Sequence, residues 1–235
     1  MRKNILITGA PKSGKSTLLE ELIADYPDRV GFLTKEIRTD GVRTGFEMIS
    51  YDGEKTLLSD VDTEDSHKVG KYFVHPQNID PFLEHLSIPF AEKSLLYMDE
   101  IGQMQLFSEF FRKTVLRLLD APNTCVATIS SVYDDDFTQS IKDRDDVILV
   151  EITAENRGEK LEFLKILLKK IDKARSYSAE PERFIFEGDT HATIKSEHGT
   201  RQLIRRNNAW NCECDFFHKY GICSHVIAID AINKI

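Results

Sequence analysis

The chain has 235 residues, 41% of them hydrophobic, and a formal net charge of −8, which allows one large domain or a domain with an appendage. The acidic balance argues against bulk nucleic-acid binding, and no apolar run reaches the ~18 residues that a membrane span needs. Asn4 to Ala10 is too short an apolar segment to read as a leader, so a cytoplasmic, reducing setting is expected.

In chain order, Asn4 to Leu19 (NILITGAPKSGKSTLL) is an apolar run, a glycine-containing loop and the start of a leucine-rich helix. Two β-rich runs, Val30 to Thr39 and Val42 to Ser50, flank Asp40-Gly41 and predict a hairpin inserted into the winding of the chain. Residues 51–77 are polar and weakly patterned, with a strand fragment near Thr56 to Leu58 and otherwise loop. A helix is expected from Ile79 to Glu92, bent or broken by Pro89. Ser94 to Asp99 (SLLYMD) is an apolar run ending in the acids Asp99 and Glu100, as in a strand buried on both faces. Leu106 to Leu119 has helical spacing, Thr124 to Ser130 reads as a buried strand, Phe137 to Arg144 as a short helix and Val147 to Thr153 as the last strand. Cys125 lies in the buried strand and reads as a small core residue. A long helix follows from Ala154 to about Arg175, capped by Thr153 and Asn156.

Alternating strands and helices predict an α/β domain with a mostly parallel sheet, helices on both faces and the inserted hairpin. Ligands of such sheets lie beyond the carboxyl ends of the strands. That rule gathers Gly9 to Ser16, Asp99 and Glu100, Ser130, and the loop Ala154 to Arg157 on one edge.

Gly9, Gly14, Lys15 and Ser16 match G-x-x-x-x-G-K-[ST], the phosphate-binding loop also called Walker A. The nucleotide-binding set is Gly9, Ala10, Pro11, Lys12, Ser13, Gly14, Lys15, Ser16 and Thr17. Glycines let the chain turn so closely that backbone N–H groups converge on one phosphate, and the following helix adds its positive end. Lys15 reaches the β- and γ-phosphates, and Ser16 ligates Mg²⁺. Asp99 takes the Walker B place, holding Mg²⁺ directly or through water. Glu100 is positioned to act as base toward an in-line water. Lys15, Asp99 and Glu100 are therefore the expected catalytic residues. Lys15, Arg38, Arg43 and Arg157 are candidates to neutralise charge developing on the phosphates, a role worth ~10³ to 10⁵ in rate for an arginine.

GFLTKEIR at 31–38, RTGFEMIS at 43–50, MDEIGQMQLFS at 98–108 and ITAENR at 152–157 together resemble the motifs of the cancer-related and thermophilic nucleoside-triphosphatase family, over about residues 1–171. The resemblance implies a Mg²⁺-dependent phosphohydrolase of ATP, GTP and other nucleoside triphosphates, slow and tolerant of the base, on a fold similar to nucleotide kinases. It places the phosphate loop at Gly9 to Thr17, the acidic pair at Asp99 and Glu100, and Asn156 and Arg157 among the nucleotide-binding residues. The chain departs from the family pattern at Lys12, where glycine is usual, and at Gln103 and Gln105, where Lys and Glu are usual. Lys12 is expected to restore part of the positive charge lost near the phosphates.

Ser176 to Pro181 is small and polar and reads as a linker, giving expected domains at 1–175 and 183–235 joined by 176–182. Arg183 to Glu187, His191 to Ser196 and Thr200 to Arg205 read as short antiparallel strands with turns at Gly188-Asp189 and His198-Gly199. Cys212, Cys214, Cys223 and His225 supply three thiols and an imidazole, a donor set suited to structural tetrahedral Zn²⁺. His218 is an alternative fourth ligand. A segment this small needs such a staple. The C-x-C…C-x-H pattern after short strands resembles the SWIM zinc finger, which implies a DNA- or protein-binding role. Lys195, Arg201, Arg205 and Arg206, with Trp210 beside them, form a basic patch. From Glu180 onward, however, seven basic residues face eight acidic ones, so a protein partner is favoured over nucleic acid. Three activities are compatible with the residues: a nucleoside-triphosphate hydrolase with a zinc-finger tail, a nucleotide or nucleoside kinase, and a nucleotide-gated binding protein.

Overall fold

The computed structural model describes residues 1–86, 91 and 94–232. They form two compact units, Lys3–Leu161 and Met1–Arg2 with Glu162–Ile235.

In the first unit the elements run β1 (Asn4–Thr8), α1 (Lys15–Ile23), β2 (Arg29–Thr39), β3 (Val42–Ser50), β4 (Lys55–Asp60), β5 (His67–Val69) and β6 (Tyr72–Val74). These are followed by α2 (Pro76–His85), β7 (Leu95–Ile101), α3 (Glu109–Asp120), β8 (Cys125–Ile129), α4 (Asp136–Lys142) and β9 (Val147–Glu151), and α5 (Arg157–Ser178) begins there. One nine-stranded sheet has the order β5-β6-β4-β3-β2-β7-β8-β1-β9. Strands β2, β7, β8, β1 and β9 pair in parallel, whereas β3, β4, β6 and β5 extend the sheet by antiparallel pairing from β2. The sheet is thus mixed rather than mostly parallel. The hairpin read from Asp40-Gly41 is the start of a larger antiparallel extension, because the 51–77 stretch contributes three strands rather than one fragment.

The continuous apolar runs become the central strands. β8 is buried at every residue and β7 at all but Glu100, as expected where both faces of a parallel sheet are covered. Phe32, Phe82 and Phe111 meet edge to face at 6.0–6.2 Å in the core. Asn4 is fully buried yet bonded on all sides: its side-chain amide donates to the Leu119 carbonyl and to Asp146, and its oxygen accepts from the Cys125 N–H. It thereby ties β1 to the end of α3 and to β8. Gly31 permits the close pairing of β2 with β7, since a Cβ there would sit 1.8 Å from the Tyr97 carbonyl oxygen. Helix α2 starts three residues earlier than expected, with Pro76 at its first position, where a missing N–H costs nothing. It ends at His85, short of the expected Glu92, while residues 87–90 and 92–93, with Pro89 and Glu92 among them, lie outside the described residues.

The division between the units falls within α5, and the stretch read as a linker continues that helix to Ser178 before a 3-10 turn at Pro181–Arg183. In the second unit, β10 (Phe184–Glu187), β11 (His191–Ser196), β12 (Gly199–Arg206) and β13 (Ala209–Cys212) form an antiparallel sheet in sequence order. Helices α6 (Asp215–Tyr220) and α7 (Ser224–Ile232) follow. Among the described residues no helix is long and apolar enough to cross a membrane.

Candidate active site and metal centre

The turn from β1 into α1 creates the site. Gly9 and Gly14 have φ of 151° and 91°, and both are hemmed in: a Cβ on Gly9 would meet the Ile152 carbonyl at 2.3 Å, and one on Gly14 the Arg157 guanidinium at 2.8 Å. Arg157 therefore lies over the loop, where the sequence motif placed it. α1 has no acidic residue in its first turn and no side-chain cap at its start, which leaves its N–H groups available to an anion. The Lys15 ammonium donates to the carbonyls of Gly9 and Ala10 at 2.9 and 3.4 Å, and Ser131 donates to the Gly9 carbonyl at 2.8 Å. Ser13 Oγ is buried without a hydrogen-bond partner among the described residues, an unmet polar group of the kind a bound ligand satisfies.

Asp99 stands where β7 reaches the loop and is 1% exposed. Its Oδ1 accepts from Ser16 Oγ at 3.0 Å and from Thr128 Oγ1 at 2.5 Å. Burial pushes the Asp99 carboxyl above its ordinary range, and the two hydroxyls offset part of that rise. Behind it, Thr34 donates to the Asp99 carbonyl, and Gln105 Nε2 donates to Thr34 Oγ1 at 3.2 Å. Gln105, one of the departures from the family pattern, thus tethers the acidic strand rather than adding an acid beside it. The side chain of Glu100 has no hydrogen-bond or ion-pair partner among the described residues, and its carboxyl is raised by burial and then by the Asp99 charge. The donor set formed by Ser16 and Asp99 consists of hard oxygens 3.0 Å apart, which suits Mg²⁺.

A cleft of about 680 Å³ opens over the loop, bordered by Lys12, Lys15, Ser16, Arg43, Glu100 and Arg157 among others. Arg43 reaches it by lying over the Phe46 ring at 5.1 Å and pairing with Glu36 at 2.7 Å. Arg38 does not border the cleft; it pairs with Glu36 and donates to the Gly41 carbonyl from an exposed position. The Asn156 side chain is occupied at the start of α5, accepting from the Thr153 N–H at 2.8 Å while Thr153 Oγ1 accepts from the Asn156 N–H. The pair closes a turn ahead of α5, which begins at Arg157, three residues later than the sequence reading placed it. Thr34 and Thr128 were not singled out in the sequence; only their positions in strands next to the acid-bearing strand signal them.

In the second unit, one ligand atom from each of Cys212, Cys214, Cys223 and His225 lies within 4.8 Å of the others. His225 Nδ1 is 3.4 Å from Cys212 Sγ and 3.8 Å from Cys223 Sγ. It is thus His225, rather than His218, that completes a cluster able to hold a metal ion. Cys-x-Cys leaves the end of β13 and Cys-x-His opens α7, as the spacing implied. Trp210 does not join an exposed basic patch: it is 5% exposed and packs edge-on against Phe186.

A phosphate-binding loop between the first strand and helix of an α/β sheet, facing a hydroxyl-bonded aspartate on a neighbouring strand, defines a P-loop nucleotide-binding protein. The family model described as NTPase matches residues 4–166, and the chain belongs to that family. It is 39% identical to a nucleoside-triphosphatase THEP1 of Thermotoga sp. (strain RQ2), over 70% of this chain and 95% of the relative. The crystal structure of THEP1 from Aquifex aeolicus matches with a TM-score of 0.62 at 34% identity, covering 71% of this chain and 99% of that one. The solution structure of a human cancer-related nucleoside triphosphatase matches with a TM-score of 0.60 at 28% identity, covering 71% and 97%.

Lys12, where the family usually has glycine, has a φ of 68°. A lysine there carries a left-handed backbone cost of about 1 kcal/mol that glycine avoids. Lys12→Gly is accordingly expected to raise the denaturation midpoint while weakening nucleoside-triphosphate binding, both read on the same variant. Unchanged nucleotide affinity would show that the Lys12 charge does not act on the phosphates.

Proposed function

We propose that the chain is a Mg²⁺-dependent nucleoside-triphosphate phosphohydrolase, tolerant of the base, whose second unit is a zinc-stapled SWIM-type module. The observation that carries this reading is the Ser16–Asp99 contact at 3.0 Å, beside a Glu100 carboxylate with no hydrogen-bond partner among the described residues. The loop residues Gly9 to Thr17 would wrap the phosphates with backbone N–H groups, and Lys15 would exchange its loop carbonyls for β- and γ-phosphate oxygens. Mg²⁺, held by Ser16 and Asp99, would supply charge neutralisation across those oxygens. Glu100 would take the proton of a water whose oxygen attacks the γ-phosphorus. The bond from that phosphorus to the bridging oxygen breaks, leaving a nucleoside diphosphate and phosphate. Arg157 over the loop and Arg43 at the cleft are the cations best located to neutralise the developing charge. Arg38, directed to Glu36 and Gly41, is the weaker candidate.

For the second unit, three thiols and an imidazole supply four protein donors, which supports structural Zn²⁺ over a catalytic metal. Its near-neutral charge supports contact with a protein rather than with nucleic acid.

Glu100 works as a base only when ionised, and its carboxyl lies above the ordinary value of 4.5, so activity should fall as the pH drops through that raised value. Glu100→Gln is expected to lower kcat for phosphate release by about 10² to 10⁴, to leave KM little changed and to abolish this acid limb. An acid limb that survives in the variant would assign the titration elsewhere.

Zinc in such peptides contributes ~10 to 16 kcal/mol of apparent folding energy. A chelator should therefore expose Trp210, the single tryptophan, and shift its emission to the red, with recovery on adding Zn²⁺. Emission indifferent to chelator would remove zinc from the structure of this unit.

A further inference from the structure

A second cavity, of about 420 Å³, adjoins the phosphate cleft at the acidic pair and shares Ser16, Thr34, Glu36, Glu100, Ser130 and Val132 with it. This volume is within the range of small-molecule sites, roughly 300 to 1,000 Å³, and far beyond what one attacking water needs. Its walls are largely apolar, from Phe46, Leu58, Val69, Met104 and Tyr133, with the Gln103 amide among them.

The two cavities differ sharply in charge. Lys12, Lys15, Lys35, Arg43 and Arg157 border the phosphate cleft, whereas the second cavity is bordered by Glu36, Asp99 and Glu100 and by no lysine or arginine. Glu36 stays ionised there, since hydrogen bonds from Arg43 and Arg38 hold its carboxyl low. Glu100, with no ion-pair partner among the described residues, repels a phosphate but accepts hydrogen bonds from hydroxyl groups. Aromatic walls favour a flat apolar body, and an amide can both donate to and accept from its edge.

We propose that this cavity binds an uncharged nucleoside as a second substrate, a hydroxyl of which replaces water as the acceptor of the γ-phosphoryl group. The inference rests on the phosphohydrolase reading of the first cavity. The nucleoside hydroxyl oxygen forms the new bond to the γ-phosphorus and gives its proton to Glu100. The bond from that phosphorus to the bridging oxygen breaks, and the products are a nucleoside monophosphate and the nucleoside diphosphate from the donor. The absence of a lysine or arginine from the cavity walls favours this acceptor over a nucleoside monophosphate, which would bring further negative charge beside Glu100.

The test incubates the full chain with ATP, Mg²⁺ and each of the four common ribonucleosides or their monophosphates, and quantifies ADP, free phosphate and phosphorylated acceptor. At least one nucleoside should raise ADP formation by about tenfold or more, as orientation of a bound acceptor allows, with nucleoside monophosphate appearing in equal amount. Val69→Trp, which fills the cavity, should cut the ratio of phosphorylated nucleoside to free phosphate by about tenfold. The wild-type result decides the matter if that variant does not fold. Phosphate release that continues with no nucleoside phosphorylated would overturn the proposal while leaving the hydrolase reading intact. Phosphorylation of monophosphates in preference to nucleosides would also overturn it. Loss of ATP turnover under every condition would instead reject the hydrolase reading on which the proposal rests.

Discussion

The site depends on keeping one carboxylate out of water. Asp99 is delivered by β7, which is buried at every residue but Glu100, and its charge is opposed by that burial. Two hydroxyls, from the helix that follows the phosphate loop and from the neighbouring parallel strand, meet the same oxygen. The strand order that places β7 between β2 and β8 is thus also what lets Thr34 and Thr128 hold the acid from either side. A buried carboxylate raised in this way is a poor resident alone and a good partner for a divalent cation, which supplies the charge the interior withholds. Its neighbour Glu100 is under a different constraint, raised by burial and by Asp99 but left without a hydrogen-bond partner among the described residues. Two adjacent acids thereby acquire different chemical roles from their surroundings.

How far the sequence revealed this depended on the kind of physics involved. The phosphate loop and the continuous apolar strands are local patterns whose spacing carries their geometry, and each stands where its spacing put it, whereas Thr153 and Asn156 bond as read but close a turn before a helix that starts three residues late. The Cys212, Cys214, Cys223 and His225 cluster was legible for the same reason. The strands β5 and β6 were not, because three residues each are too few to display alternation. Separating Arg43 from Arg38 also exceeded the pattern, because the pairing of β2 with β3 shifts register at Ile37/Arg38, and such a bulge redirects side chains that simple alternation would place. Thr34, Thr128 and Gln105 act through contacts between residues distant in sequence, which no single segment announces. Trp210 illustrates the converse: beside arginines in sequence it suggested a surface, yet an inward strand position makes it core.

The antiparallel extension of the sheet has a chemical consequence. Strands β3, β4 and β5 furnish Phe46, Leu58 and Val69, so the insertion that departs from simple parallel winding is also what walls the second cavity. Arg43 and Glu36 stand on the hairpin between the two cavities. That pair keeps a cation on the phosphate side and an anion facing both, and it divides one opening into regions of opposite electrostatic character.

The account as a whole stands on Asp99 and Ser16 meeting the phosphate loop at a single cation. Its most direct test is the affinity of a non-hydrolysable triphosphate analogue, titrated with and without Mg²⁺, for the wild type and for Asp99→Asn. The wild type should bind more tightly when Mg²⁺ is present, and Asp99→Asn should lose that gain while keeping the wild-type affinity in chelator. An Mg²⁺-dependent gain of equal size in both proteins would contradict the account.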